Sequence, residues 1–341
     1  KDIPYRVYAG AYTNYLHSSL PSSMFYGFRS SPDAYVVGCN LASGSASDYY
    51  SAERSFTRSG TPSSNRYYLS AVLAATNLAA AKTMIDRSVQ ADSSFPTGTV
   101  YFLHTLDDRN FQWSLFENSA FMARFLSIPQ QQTLLDGYFY EQSSKTDVVG
   151  YMVGECCGVN PGAQTYRPGA LAEHATSYGG VLYSESEFQQ PGREQDRVTR
   201  WLEAGCAGTY GTVVEPCAYT QKFPIAHMHY WYGRGFSLGE SVYMAVRNPY
   251  QGVTAGDPMC APYATPCTPG LGGITNGQVV AGAVNLSITG LATSVTRPLN
   301  QIDLFLDGRL LATLTNAAPT RSNMVTVAIN GTNCEYVVPA N

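Results

Sequence analysis

The sequence predicts an α/β fold, a mainly parallel sheet flanked by helices, followed by a small all-β module. Three observations carry this. Apolar runs of strand length alternate with segments of helical period over residues 1–264. The helical period is lost after the Pro-rich loop "CAPYATPC" at 260–267, where turn signals take over. At 341 residues the chain exceeds the usual size of one domain, so two separate cores are expected.

Taken in order, "IPYRVYAG" (3–10) reads as a strand, and the Ser/Gly/Tyr-rich stretch near 40–65 has no period and reads as a long surface loop or insertion. Residues 68–90 carry apolar side chains at three- and four-residue spacing with many alanines, the strongest helix pattern in the chain. "TVYFLHTL" (99–106) and "DVVGYMVG" (147–154) are buried-strand runs, with a helix expected between them at 116–128. "GALAEHATSYGG" (169–180) and "CAGTYGTVV" (206–214) add two strands separated by the helical "REQDRVTRWLEAG". "SLGESVYMAVRN" (237–248) is a helix whose Ser237 and Glu240 have capping-box spacing. The expected boundary lies between 264 and 271, and residues 271–341 alternate strand-like runs with "NG" at 276 and "DG" at 307.

Composition narrows the function classes. Only 13% of residues are charged and 25 are tyrosines, a balance usual for exported surface proteins. The net charge of −4 leaves no basic stripe to neutralise phosphates, so nucleic acid is not an expected partner. No run reaches the roughly 18 apolar residues of a membrane-spanning helix. The chain begins at Lys1, which reads as a mature form or a fragment.

Eight cysteines, none in a CxxC or zinc-ligand spacing, favour disulfides in an oxidising compartment over metal or haem attachment. The short loops Cys206 to Cys217 and Cys260 to Cys267 are each expected to be closed by a disulfide. Adjacent Cys156 and Cys157 are expected to reach distant partners, because a bond between neighbours must distort the intervening peptide. The expected location is extracellular or at the cell surface, with no cofactor.

Candidate site residues cluster at strand ends. His174, Thr176 and Ser177 follow an apolar run, where open α/β sheets bind ligands, or they hydrogen-bond a strand terminus. Glu215 in "VVEP" either meets a substrate or caps neighbouring backbone, and Asp257 in "GDP" is more a turn-former than a ligand. His227 and His229 alternate and would face one way from an extended segment, as a metal pair or as part of a packed loop. The aromatic run Tyr230 to Tyr232 would stack on sugars or bury at a contact between subunits. Cys206 is a disulfide half rather than a nucleophile, since no base is identified for it.

The blocks "VVGYMVGECCG", "YRPGALAEHATSYGGVL", "RVTRWLEAGCAGTYGTVVEPCAY", "GFSLGESVYMAV" and "GDPMCAPY", in that order, resemble an uncharacterised family of exported bacterial proteins found in genomes with PEP-CTERM sorting systems. In that family a further α/β portion precedes the position of Lys1, which implies a processed chain or a diverged member. The C-terminal segment resembles a small bacterial immunoglobulin-like sandwich, although it is short for seven strands. More weakly, the strand order and the "GTYGTV" turn resemble cysteine peptidases of the caspase and gingipain type. In those enzymes a His ends one strand and the Cys ends the next. The matching ends here read "YMVGECC", without His, and "AEHATSYGG", without Cys, so the resemblance implies a fold lacking the dyad.

Two function classes follow. One is a non-catalytic extracellular component, such as a surface-layer, sheath or filament subunit, that self-associates as a homo-oligomer or polymer. The other is a secreted hydrolase related to cysteine peptidases, acting on exported protein or exopolysaccharide.

Overall fold

A computed structural model of the chain describes residues 68–109, 144–182 and 195–279 almost continuously, with shorter pieces at 6–7, 18–26, 36–37, 40–41, 46–53, 56, 130–134, 286–292, 301–306, 309–315 and 324–329. The helix expected at 116–128, much of the 40–65 stretch and the side chains of Cys39, Cys267 and Cys334 lie outside the described residues.

The chain divides into two compact units, Lys1–Ala264 and Thr265–Asn341. In the first, two short antiparallel pairs, β1 (Arg6–Val7) with β2 (Ser18–Ser19) and β3 (Val36–Val37) with β4 (Asn40–Leu41), precede the main sheet. That sheet is built from β5 (Thr99–His104), β6 (Gln130–Leu134), β7 (Val148–Gly154), β8 (Tyr166–Ala175), β9 (Gly208–Thr212) and β10 (Gly252–Gly256). Its spatial order is β10-β9-β8-β7-β5-β6. Neighbours from β6 through β9 run parallel, and β10 lies antiparallel on β9. The expected α/β class with a mainly parallel sheet is therefore present.

Helices α1 (Leu20–Tyr26), α2 (Leu78–Ala91), α3 (Val198–Ala204), α4 (His227–Gly233) and α5 (Leu238–Ala245) belong to the same unit. Both faces of the sheet are covered, which is why its strands read as continuous apolar runs. On one face Val100, Phe102, Met152 and Leu171 share a core with Trp231 of α4 and Val242 of α5. On the other, Tyr101, Leu103, Tyr151, Val153 and Ala172 pack with Trp201 of α3. Burying each such side chain contributes about 2 kcal/mol. The close approach of α4 needs Gly150, since a Cβ there would lie 2.7 Å from His229 Nδ1.

Two expectations are corrected. The helix expected from 68 starts only at Leu78, where the Asn77 side chain accepts the Ala80 N–H and caps it. Upstream, Val72 bridges Ala255 in parallel, donating to the Thr254 carbonyl and accepting from the Gly256 N–H, so sheet bonding wins over helical pattern. Residues 227–233, read as extended, form α4 instead. The described part of the 40–65 stretch exposes Ala46, Asp48, Ser51 and Glu53, as a surface loop would, yet it is anchored: Tyr49 is fully buried, its ring meets Phe56 edge-on, and Ser47 and Ser51 donate backbone bonds to Arg247 and Met244. The α5 capping box is as expected, with Ser237 and Glu240 exchanging bonds.

In the second unit β11 (Cys267–Gly272), β12 (Leu286–Ala292), β13 (Gln301–Leu306), β14 (Arg309–Thr315) and β15 (Met324–Ile329) are all antiparallel. They form a three-stranded sheet, β11-β12-β15, and the pair β13-β14.

Candidate functional site at the carboxyl edge of the sheet

The chain passes from β5 outward to β6 and then back across to β7, so the strand order reverses between β5 and β7. At such a point the connections leave in opposite directions and open a crevice at the carboxyl ends of the strands. Asp107 and Arg109 follow β5 there, Glu155, Cys156 and Cys157 follow β7, and Thr176 and Ser177 follow β8.

Hydrogen bonds tie these three strand ends together. The Cys156 N–H is shared between Asp107 Oδ2 (3.3 Å) and Glu155 Oε1 (3.1 Å), which brings the two carboxyls to one donor. Arg109 Nη1 donates to both Asp107 oxygens, at 2.8 and 2.7 Å. Thr105 Oγ1 donates to the Gly154 carbonyl, and Thr176 Oγ1 donates to the Cys156 carbonyl at 2.8 Å. His174 lies 2.9 Å from the Glu155 carbonyl through Nε2. That contact fixes Nε2 as the donor.

The electrostatics set two groups apart. Burial, and then the neighbouring Asp107 carboxylate, raise Glu155 to about 7. The group is 3% exposed. His174 is pushed down to about 4 by burial, so it is a neutral imidazole with Nδ1 buried and unbonded. A carboxylic acid that keeps its proton near neutrality beside an ion-paired carboxylate is an acid–base arrangement.

The sequence-derived candidates divide. Thr176 and His174 support the Glu155–Cys156 turn rather than forming a site of their own, and Ser177 is buried beside them. Glu215 takes the capping alternative, accepting the Cys217 N–H at 2.6 Å. Nearby Lys222 is buried, donates to the Pro216 carbonyl, and is lowered to about 8 by burial. Asp257 forms a turn, accepting the Met259 N–H, and follows antiparallel β10, so it lies at the opposite end of the sheet. Trp231 and Tyr232 are core residues, and Tyr232 donates to the Gly169 carbonyl. His229 is buried and lowered to about 3. Among the described residues no group of three or more His, Cys, Asp or Glu side chains is placed to hold a metal ion.

The cysteine expectations are overturned. Cys206 and Cys260 are free and buried, so neither the Cys206–Cys217 nor the Cys260–Cys267 bond exists. Cys206 packs in the core with Trp201, and burial pushes its thiol far above the ordinary range. Cys260 is held inside by the Tyr232 hydroxyl, 3.3 Å away. Cys217 is disulfide-bonded, to a partner outside the described side chains. Cys156 and Cys157 bond each other. The tight turn leaving β7, clamped from β5 and β8, keeps both sulfurs local.

Asp107 and Glu155 were missed by sequence reasoning, which noted the absent His in "YMVGECC" and passed over its glutamate. A signal was present: each is an acid placed just beyond an apolar strand run, in "TVYFLHTLDD" and "DVVGYMVGE". No protein-family model, curated protein or solved structure matches the chain.

Proposed function

We propose that the first unit is a hydrolase of an exported protein, using Glu155 and Asp107 as an acid–base pair at the carboxyl edge of the sheet. The observation that supports this is the meeting of two carboxyls, one protonated near neutrality and one paired with Arg109, where the strand order reverses. Asp107 accepts a proton from water as the water attacks the scissile bond, and Glu155 donates its proton to the leaving atom. Cys206 has no part in it, because a buried thiol without a neighbouring base is not a nucleophile. Exported protein and exopolysaccharide are the substrate classes to try. Hydrolysis of a dye-labelled protein and a dye-labelled polysaccharide should fall as pH rises through about 7 and should be abolished by Glu155→Gln and Asp107→Asn. Hydrolysis unchanged in both variants overturns the reading.

A second reading, a self-associating surface component, is supported by exposed apolar side chains near the end of α2. Val89 is 61% exposed, Phe95 44% and Met259 74%, and backbone bonds from Ser93 to Ala261 and from Phe95 to Pro262 draw the segments that carry them together. Sedimentation at increasing concentration tests it, and a strictly monomeric mass rejects it.

A further inference from the structure

The bond between Cys156 and Cys157 lies inside the proposed site, and Cys156 is more accessible than the two free cysteines, Cys206 and Cys260. Cys206 and Cys260 are 0% and 1% exposed, and Cys157 is 2% exposed, whereas Cys156 is half-buried. Neighbouring strand ends hold the backbone of this turn: Asp107 from the β5 end shares the Cys156 N–H with Glu155 itself, and Thr176 and His174 from the β8 end hold the Cys156 and Glu155 carbonyls. The disulfide closes a ring over the same peptide whose N–H sits between the two carboxyls.

We propose that Cys156–Cys157 is a redox site opened by small thiols, and that its closed form holds the Cys156 N–H on the Asp107 and Glu155 carboxyls. An external thiolate attacks the Cys156 sulfur. The S–S bond breaks, and its electron pair leaves on Cys157, which takes up a proton. A second external thiolate then attacks the mixed disulfide at the external sulfur, releasing Cys156 as a thiol and the reagent as its own disulfide. The protein gains two electrons and two protons, and two external thiols become one disulfide. With the ring open, the turn is free to rotate the Cys156 N–H away from the carboxyls. This second half rests on the acid–base reading, whereas the redox chemistry does not.

The test uses the full chain and glutathione as the small thiol. Native protein is alkylated with iodoacetamide before and after glutathione treatment, and the peptide holding both cysteines is weighed. The expected result is a peptide two hydrogens short and unalkylated at first, then doubly alkylated or carrying glutathione, at least about tenfold faster than Cys206 and Cys260 react. Reaction no faster than at those two buried thiols, or free thiols at 156 and 157 before treatment, overturns the redox site. Cys157→Ser should leave a Cys156 thiol that alkylates without reductant, and a Cys156 that resists alkylation in this variant overturns the redox site. For the coupling, the Glu155 carboxyl is titrated by infrared difference against Glu155→Gln in the closed and opened forms. A midpoint that moves on opening supports it, and an unmoved midpoint overturns it even where the masses show the redox site. A Glu155 midpoint in the ordinary carboxylate range in both forms sinks the acid–base reading and leaves the mass result standing.

Discussion

Replacing Glu155 with glutamine should stabilise the protein above neutral pH and leave it unchanged in acid. The folded-state value of this carboxyl is raised to about 7 from 4.5. Between these values the folded chain holds a proton that the unfolded chain has released. Where the native state binds more protons, stability falls as pH rises. The loss begins above 4.5, is complete near 7, and amounts to roughly 2.5 pH units at 1.36 kcal/mol each, or about 3 kcal/mol. Glu155 is 3% exposed, so solvent does not screen the effect. Glutamine keeps the size and removes the titration. Urea unfolding of both proteins, followed by fluorescence of the buried Trp201 and Trp231, gives the difference curve directly. The subtraction matters because buried histidines change stability in the opposite direction over the same range. The curve should rise from zero in acid to about 3 kcal/mol by about pH 8. A curve that stays flat would refute the assignment of a buried, proton-holding glutamate.

The histidines give the opposite sign. His229, lowered to about 3 from 6.5, stays neutral in the fold, so stability is lost as pH falls below 6.5, and His229→Leu should spare about 3 kcal/mol of that loss by pH 4. Acid unfolding midpoints measure it, and an unchanged midpoint counts against it. Gly150→Ala places a Cβ 2.7 Å from His229 Nδ1 and should cost about 1–3 kcal/mol. Combining it with His229→Ala should recover part of that cost, and strictly additive costs in the double-mutant cycle would reject the contact. Cys206 should resist iodoacetamide until the protein unfolds, and Cys206→Ala should leave any hydrolytic rate unchanged. Native labelling at Cys206 would contradict its burial.

The sheet was legible because its strands are apolar on both faces, and "VVGYMVG" can hardly be anything but a buried strand. The capping box of α5 was legible for a similar reason, since it depends only on residues three apart. What failed depended on partners far away in sequence. Val72 left the helical pattern because Thr254 and Gly256 offered it backbone bonds. Tyr49 is buried within its surface loop because the α5 end receives the segment. The disulfides were expected from loop length, but pairing follows where each side chain is buried: Cys206 is held in the core with Trp201, and loop length carries no information about that. For the site, His174 drew attention as the reactive type, while its role is to hold the Glu155 carbonyl. The carboxyl pair itself joins residues 107 and 155, a pairing that only the parallel register of β5 with β7 creates.

The outer side of β10 is closed to strand pairing with another chain. The Gly252 carbonyl is taken by the Ser19 hydroxyl, the Thr254 carbonyl by the Val72 N–H, and the Gly256 N–H by the Val72 carbonyl. A sheet border that would otherwise be a template for a foreign strand is sealed by two segments from the beginning of the same chain. Filament growth by strand exchange is thereby barred on that side, and loss of the chain before residue 75 through proteolysis would convert a quiet border into an adhesive one.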